Sequence, residues 1–121
     1  MQLPEYHGDD FYCDVAIPHP EALRVVHDDA RVLAFQHTKP FWDVHVVVVP
    51  KRHIPSLTAT TDADEADLRA LFAAVRSVAG VVEAEYGAAA VLTNLGRYQD
   101  SKHLHVHVHS GARRPQLDRW R

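Results

Sequence analysis

The first half of the chain has short apolar runs separated by polar turns, a pattern that predicts β-strands. Residues 23–27 and 30–37 are rich in aliphatic, β-branched and aromatic side chains on either side of Asp28 and Asp29, so we expect a hairpin. Residues 44–50 are predicted to form a third strand. Its positions 46–49 are apolar without a break, which is typical of a strand that is covered on both faces.

A long amphipathic helix is predicted after these strands. Asp62, followed three residues later by Glu65, has the spacing of a capping box at a helix start, and Gly87 after Tyr86 is typical of a helix end. Between these points apolar residues recur at helical spacing and form one stripe that we assign to the core: Leu68, Leu71, Phe72, Val75, Val78 and Val82.

Two further strands are predicted at residues 88–93 and 102–109, joined by a polar segment at 94–101. Strands that adjoin in sequence and flank a single helix indicate an α+β protein, with an antiparallel five-stranded sheet and one long helix. No repeat or linker divides the sequence, so we expect one domain. It covers residues 1–121, with an N-terminal extension at 1–9 and a C-terminal tail at 113–121.

Composition narrows the class of protein further. The chain has 121 residues, of which 46% are hydrophobic and 24% charged, an ordinary globular balance. The formal net charge is −3, so the chain lacks the excess of basic residues that is typical of proteins that bind long nucleic acids. We find no apolar run long enough for a signal peptide or a membrane span, and the single Cys13 forms no internal disulfide. These features predict a cytoplasmic protein.

The most informative segment runs from residue 103 to residue 109, where imidazole and aliphatic side chains alternate strictly. In a strand this alternation puts four histidines on one face and leaves Leu104, Val106 and Val108 for a core. Neutral imidazoles can bind a metal such as zinc, or one of them can attack an electrophilic phosphorus atom while its neighbours orient it. The spacing alone does not choose between these two uses.

The wider pattern resembles the histidine triad (HIT) superfamily, whose signature is His-φ-His-φ-His-φ-φ with φ apolar. Residues 94–109 carry that signature, and residues 30–35, Lys39-Pro40 and residues 44–54 resemble the other recurring segment of these proteins. The resemblance covers about residues 10–112. It is strongest to the Hint-like nucleotide hydrolases.

The resemblance implies an enzyme that acts on a small nucleotide substrate. His105 would attack the α-phosphate of a nucleoside phosphoramidate or a related nucleotide conjugate and form a covalent histidine-nucleotide. His103 would support it, and His107 would contact the phosphoryl oxygens, assist proton transfer and, as an imidazolium, stabilise charge. Members commonly form homodimers. Two alternatives stay open: a HIT-fold module that binds a nucleotide or zinc with little turnover, and a hydrolase that uses the row as metal ligands.

Several substrate contacts follow from the same resemblance. Gln99 corresponds to a glutamine that contacts the phosphate or the leaving group, and Asn94 to a position near the phosphate. Asp100 stands where the family usually has serine or threonine. Either Asp100 turns away and Ser101 supplies the hydroxyl, or the leaving group is cationic and Asp100 meets it.

The sugar and base contacts also depart from the family. His37 stands where Hint-like proteins often place an acid that binds both ribose hydroxyls, so we expect ribose recognition to be weaker or different. His109 extends the row where the family has an apolar residue, and we expect it at the pocket rim as a determinant of specificity. His45 is expected to make a structural hydrogen bond near the active site. An apolar base pocket could be lined by Phe35, Phe41 and Trp42.

A structural zinc site is a further expectation. Many bacterial HIT proteins bind zinc through a Cys-x-x-Cys pair, the histidine of Pro-Lys-x-His and the first histidine of the triad. The matching positions here are Asp10, Cys13, His53 and His103, all acceptable zinc ligands. Such a zinc would hold the N-terminal segment on the sheet, and the chemistry itself would not require it. Because Asp10 replaces the first cysteine, an alternative stays open in which the site has been lost and Cys13 is a small buried hydrophobe.

Overall fold

The computed structural model describes residues 8–114 and has the predicted α+β architecture. One antiparallel sheet of five strands, in the order β1-β2-β3-β5-β4, packs against a single long helix. Residues 1–7 of the predicted extension and residues 115–121 of the predicted tail lie outside the described part of the chain. The elements are β1 Val25–Asp28, β2 Val32–Gln36, β3 Trp42–Pro50, α1 Glu65–Tyr86, β4 Ala90–Leu92 and β5 Val106–Arg113.

The central strands β3 and β5 are covered on both faces, as the unbroken apolar run at 46–49 predicted. In the β3–β5 pairing Val46 is opposite Val108 and Val47 is opposite His107. Alternate residues then enter two separate cores. The core against α1 contains Val32, Ala34, Val46, Val48, Leu104, Val106 and Val108, and the core on the opposite face contains Tyr12, Ala16, Leu33, Phe35, Val47 and Val49.

The helix begins differently from the prediction. A short helical turn, Asp62–Asp64, precedes α1, and its capping box joins Thr61 to Asp64 rather than Asp62 to Glu65. Thr61 is extended, so its backbone N–H is free to donate to the Asp64 carboxylate at 2.8 Å. The helix ends as predicted, at Gly87 with φ of 82°.

The prediction of the buried apolar stripe was wrong for one residue. Phe72 is 56% exposed, whereas Leu71, Val75, Val78 and Val82 are buried. The buried positions are spaced by four, three and four residues and so lie within about 60° of one another around the helix, whereas Phe72 lies about 100° from Leu71, outside that arc. Within residues 8–114 no helix combines the length and the apolarity that crossing a membrane requires.

The final strand is shifted relative to its predicted bounds of 102–109. It pairs with its neighbours from Val106 onward and continues to Arg113. The preceding residues are held instead by the segment after β3, since Leu104 N–H donates to the carbonyl of Ile54 at 2.6 Å. The alternation survives this change, because Leu104 still enters the core against α1.

Candidate active site

Three of the four alternating histidines are buried on the sheet face opposite α1. His103, His105 and His107 expose 0%, 3% and 5% of their surface, whereas His109 is half-buried. The ring centroids of His105 and His107 are 5.0 Å apart. The structure therefore brings the predicted row of imidazoles together. Because these rings are buried, their hydrogen-bond partners must be protein groups rather than bulk water.

The backbone holds the His105 ring in one tautomer. Its Nδ1 lies 2.7 Å from the carbonyl oxygen of His103, and because a carbonyl only accepts, Nδ1 carries the proton. Burial lowers the pKa of His105, so the ring is neutral at pH 7 and Nε2 keeps its lone pair. Thr93 Oγ1 donates to the carbonyl of His105 at 2.7 Å and fixes its backbone. His105 is thus held in one tautomer with an available lone pair on Nε2, the form that a nucleophilic imidazole requires.

His107 is oriented by His45, through a chain of hydrogen bonds that starts at the backbone. The Phe41 N–H donates to Nδ1 of His45 at 3.0 Å, so in neutral His45 the proton is on Nε2. That Nε2 lies 2.8 Å from Nδ1 of His107 and donates to it, which leaves the remaining proton of His107 on its Nε2. The hydrogen bond that we expected of His45 is therefore present.

The same buried environment sets the charge of His107. Burial, followed by the nearby His105 and His37 rings, lowers the pKa of His107 to about 3. The imidazolium form that we expected to stabilise charge is therefore not the resting form. His107 offers a neutral Nε2–H donor instead.

His37 joins this group on the far side of His45. Their rings stack with centroids 4.3 Å apart, and the His37 ring is 6.0 Å from that of His107. Burial lowers the pKa of His37 to about 4. Its Nδ1 accepts the Lys39 N–H at 3.0 Å, so Nε2 carries the proton and is a donor.

The tautomers argue against a metal in this inner group. One nitrogen from each of His37, His45 and His107 lies within 4.8 Å of the others, which is close enough to share an ion. The Nδ1 atoms of His37 and His45, however, each accept a backbone N–H, so their Nε2 atoms hold protons that a metal ligand must lack. The group forms a hydrogen-bond network, which disfavours the hydrolase that uses the row as metal ligands.

The four residues predicted to bind zinc do come together, at the other end of the row. Cys13 Sγ lies 3.2 Å from His103 Nδ1 and 3.6 Å from His53 Nδ1, and Asp10 Oδ2 lies 2.8 Å from His53 Nδ1 and 3.2 Å from His103 Nδ1. With zinc–ligand bonds of about 2.0 to 2.3 Å, the edges of a tetrahedral site are about 3.3 to 3.6 Å. The donor set therefore has nearly the dimensions of a zinc site.

The protonation of this cluster also fits a metal. His103 Nε2 donates to the carbonyl of Pro50 at 2.8 Å, so its Nδ1 has a free lone pair directed at the cluster. Burial and the Asp10 carboxylate raise the pKa of the Cys13 thiol to about 11, and a cation would reverse that shift. The Asp10 carboxylate is held by the Cys13 N–H, 2.9 Å from Oδ1.

The loop side chains predicted to contact the phosphate lie in different surroundings. Gln99 is buried, and its Nε2 donates to the carbonyl of Pro55 at 2.6 Å. Asn94 is half-buried, two residues beyond the end of β4. Their contacts with substrate remain predictions.

Ser101 and Asp100 differ sharply although they are adjacent. The Ser101 hydroxyl is buried, accepts the Phe11 N–H at 3.1 Å and donates to the carbonyl of Asp9 at 3.3 Å. It thus ties the N-terminal segment to the loop. Asp100 is exposed, and its negative charge raises the pKa of His105 against the larger effect of burial.

The predicted aromatic lining divides into two parts. Phe35 is 1% exposed and belongs to the core, whereas Phe41 and Trp42 are half-buried with their rings 5.5 Å and 5.0 Å from that of His45. His109 stacks face to face on Trp42, with centroids 3.5 Å apart. The row of histidines therefore ends in a stacked pair of rings formed by His109 and Trp42.

Tyr12 is a site residue that we did not predict. It is buried, and its ring lies 4.9 Å from that of His105 and 5.6 Å from that of His103. Burial raises its pKa, so the phenol stays protonated. The sequence did contain a signal for Tyr12, which lies between Asp10 and Cys13. If those two residues lie next to the first histidine of the row, the residues between them must lie close to it as well.

Comparisons with known proteins agree with this geometry. The HIT domain model matches residues 21–114. A bifunctional adenosine 5′-phosphosulfate phosphorylase/adenylylsulfatase of Arabidopsis thaliana is 37% identical over 54 residues, 45% of this chain and 36% of that protein. The asymmetrical bis(5′-nucleosyl)-tetraphosphatase of Schizosaccharomyces pombe is 36% identical over 81 residues, 62% of this chain and 42% of that protein. The chain thus spans less than half the length of both relatives.

A solved structure matches over a greater length. The histidine triad protein from Clostridium difficile superimposes with a TM-score of 0.70 at 28% sequence identity, over 94% of this chain and 100% of that one.

Proposed function

Because this chain belongs to the HIT domain family, we propose that it is a nucleotidyl hydrolase or transferase that works through His105. Its substrate is a nucleoside phosphoramidate or a related nucleotide conjugate. The observation that carries the proposal is the tautomer of His105, whose Nδ1–H is held by the His103 carbonyl at 2.7 Å. The relatives from Arabidopsis and fission yeast support the substrate class, since both are named for nucleotides whose 5′-phosphate bears a further group.

The reaction proceeds in two displacements. Nε2 of His105 forms a bond to the α-phosphorus, the bond from phosphorus to the leaving-group nitrogen breaks, and that nitrogen keeps the electron pair and takes a proton from solvent. Water then attacks phosphorus, the bond from phosphorus to Nε2 of His105 breaks with its electron pair returning to Nε2, and the nucleoside monophosphate and one proton are released to solvent. A ring held in one tautomer lowers the barrier, because its orientation does not have to be fixed during the reaction.

Two further imidazoles bind the phosphoryl group. Neutral His107 and His37 each present an Nε2–H, and their rings are 6.0 Å apart. Such donors hydrogen-bond to the non-bridging oxygens and stabilise the negative charge that increases there during attack. Gln99, Asn94 and His109 are the further substrate contacts that we propose from the family pattern.

A single-turnover experiment tests the proposed function. Wild-type protein and His105→Ala are mixed with adenosine 5′-phosphoramidate labelled at phosphorus, and acid-labile label on the protein is followed with time. We expect transient labelling and release of AMP by the wild type alone, and a fall of at least about a thousandfold in the variant. His19→Ala, which removes an exposed imidazole elsewhere, is the matched control.

The alternative, a module that binds nucleotides with little turnover, is the other outcome of this experiment. Saturable binding of AMP, with no labelled protein and no product from adenosine, guanosine, cytidine or dinucleoside polyphosphate substrates, would establish it and overturn the enzymatic proposal.

We also propose a structural zinc ion bound by Asp10, Cys13, His53 and His103. The donor-to-donor distances and the free Nδ1 of His103 support it. When bound, the ion would neutralise the cluster and join the N-terminal segment to the row, with no part in the displacement at phosphorus. A cysteine ligand suits the reducing cytoplasm, which is where we propose that the protein works.

A homodimer is proposed through β4 and the outer face of α1. β4 is an edge strand of only three residues, so one side of its backbone has no strand partner in the sheet. Large apolar side chains are exposed on it and on the neighbouring helix, a combination that a second copy would cover. On α1 they are Phe72 and Tyr86, which lie about 40° apart around the helix, and on β4 the residue is Val91, with exposures of 50% to 56%.

A further inference from the structure

His105 stands just outside the paired part of its strand. The pairing of β4 with β5 ends at Leu92 and His107, and the pairing of β3 with β5 ends at Val48 and Val106. Neither neighbouring strand therefore extends its ladder of hydrogen bonds to the residue that carries the proposed nucleophile. The backbone of His105 needs other partners if its ring is to keep one position.

Two carbonyls near the end of β3 hold the residues that precede it. The His103 ring donates to the carbonyl of Pro50 at 2.8 Å, and the Leu104 N–H donates to the carbonyl of Ile54 at 2.6 Å. Nδ1 of His105 in turn donates to the carbonyl of His103. These contacts fix the chain on the N-terminal side of His105. The peptide on its C-terminal side depends on a different group.

That group is the hydroxyl of Thr93. Its Oγ1 donates to the carbonyl of His105 at 2.7 Å. Thr93 directly follows β4, so its side chain reaches this carbonyl just where the backbone pairing of β4 has stopped. A threonine side chain branches at Cβ and is restricted at χ1, so the hydroxyl is itself confined to few orientations. The donor is therefore well defined in position.

Loss of this donor would leave the carbonyl of His105 without its side-chain partner in a buried part of the protein. His105 is 3% exposed, and a buried acceptor that loses its hydrogen bond tends to rotate toward another donor. The carbonyl and the imidazole are attached to the same Cα, so rotation of this peptide moves the ring as well. A displacement of about 1 Å is enough to slow a reaction about a hundredfold.

We propose that Thr93 is a positioning residue for the proposed reaction, and that its hydroxyl sets the place of His105 Nε2 by holding the carbonyl of His105. This inference rests on the proposed function of His105. The proton of the hydroxyl is already given to the carbonyl, so we assign Thr93 no contact with substrate. Its effect should therefore fall on kcat and leave KM unchanged.

Two substitutions separate the hydroxyl from the shape of the side chain. Thr93→Val keeps the branched shape and removes the donor. We expect its kcat with adenosine 5′-phosphoramidate to fall by about 10- to 100-fold while KM stays within about twofold. Thr93→Ser keeps the donor and loses one methyl group, so it should restore kcat to within about threefold of the wild type.

Ser110 provides the matched control on the same strand. Its hydroxyl donates to the carbonyl of Ala88 at 2.7 Å, which is the same kind of contact at the same length, between β5 and the residues that flank β4. Ser110→Ala should lower stability in urea unfolding about as much as Thr93→Val does, and it should leave kcat within about twofold. Equal losses of kcat in the two variants would reveal a general weakening of the sheet and overturn the inference.

Nuclear magnetic resonance tests the position of the ring without turnover. The full chain is measured at a single pH, and the imidazole C–H resonances of His105 are identified by their absence in His105→Ala. They should be sharp in the wild type, Thr93→Ser and Ser110→Ala. In Thr93→Val they should broaden or shift, because the ring then samples more than one position.

The outcomes separate this inference from the proposed function. Full activity of Thr93→Val with unchanged His105 resonances would overturn the inference and leave the reaction through His105 intact, as would a Thr93→Ser variant as slow as Thr93→Val. Absence of turnover by the wild type would overturn the proposed function. The resonances of His105 would then decide alone whether Thr93 holds the ring.

Discussion

Nε2 of His45 lies 2.8 Å from Nδ1 of His107. Because the Phe41 N–H occupies the other nitrogen of His45, the protons along this line can be arranged in only one way while both rings are neutral. The backbone N–H of Phe41 thereby sets which nitrogen of His107 carries the proton.

Replacing His45 by phenylalanine removes this constraint while keeping a ring in the site. His107 would then rotate or adopt the other tautomer, and we expect kcat with adenosine 5′-phosphoramidate to fall by about 10- to 100-fold, the usual consequence of a misplaced catalytic group. His45→Asn, whose amide can both accept and donate, should restore part of the loss. An unchanged kcat in His45→Phe would show that His107 needs no support.

Metal content is the second prediction. Protein purified without a histidine tag should contain about one zinc ion per chain by atomic emission, and Cys13→Ala should lose it and unfold at a lower temperature. His27→Ala, which removes a partly exposed imidazole outside the cluster, should retain the metal. Wild-type protein that binds no zinc when it is supplied would refute the site.

The buried histidines predict how stability depends on pH. Burial lowers the pKa of His37 from 6.5 to about 4 and that of His107 to about 3. Below pH 6.5 the unfolded chain therefore binds more protons than the folded one, and stability is lost as pH falls. Each ring should lower the free energy of unfolding by about 1.4 kcal/mol per pH unit in this range.

Urea unfolding at about pH 7 and about pH 5 measures this slope. His37→Phe should have a shallower slope than the wild type, whereas His19→Phe, at an exposed position, should match the wild type. Equal slopes in His37→Phe and the wild type would contradict a neutral, buried His37.

The two edges of the sheet provide a controlled test of the dimer. Val91 on β4 and Val26 on β1 are exposed to 50% and 49%, so the same substitution can be made at equivalent positions. We expect Val91→Glu to convert a dimer into a monomer in analytical ultracentrifugation and Val26→Glu to leave it intact, because a buried unpaired charge opposes association. Dissociation by Val26→Glu alone would assign the interface to the opposite edge.

The alternation in the sequence was enough to predict which side chains share a face. Leu104 and Val106 enter the core against α1, and His105 and His107 are buried on the opposite face, although the strand begins later than predicted. The side to which a residue of an extended chain points does not depend on where the hydrogen bonds between strands begin. The exposed Phe72 shows a limit of the hydrophobic pattern. An apolar residue next to the buried stripe of a helix cannot be distinguished from a buried one by its type and spacing.

The partners of polar side chains could not be obtained in this way. Ser101 bonds to the backbone of Phe11, 90 positions away, and Gln99 to Pro55, 44 positions away. Such contacts depend on how loops meet after the sheet has formed, and neither residue type nor spacing encodes them. The tautomers of His45 and His107 likewise follow only from the position of one backbone N–H.

His103 takes part in both the metal-type cluster and the orientation of the nucleophile. Its ring nitrogen faces Cys13 and Asp10, while its carbonyl oxygen accepts the proton-bearing nitrogen of His105. A displacement of the N-terminal segment, for example by oxidation of the thiol or removal of the proposed zinc ion, would therefore reach the His105 ring through the carbonyl oxygen that orients it. We expect the proposed reaction to slow under oxidising or metal-chelating conditions, although neither the thiol nor the ion takes part in it.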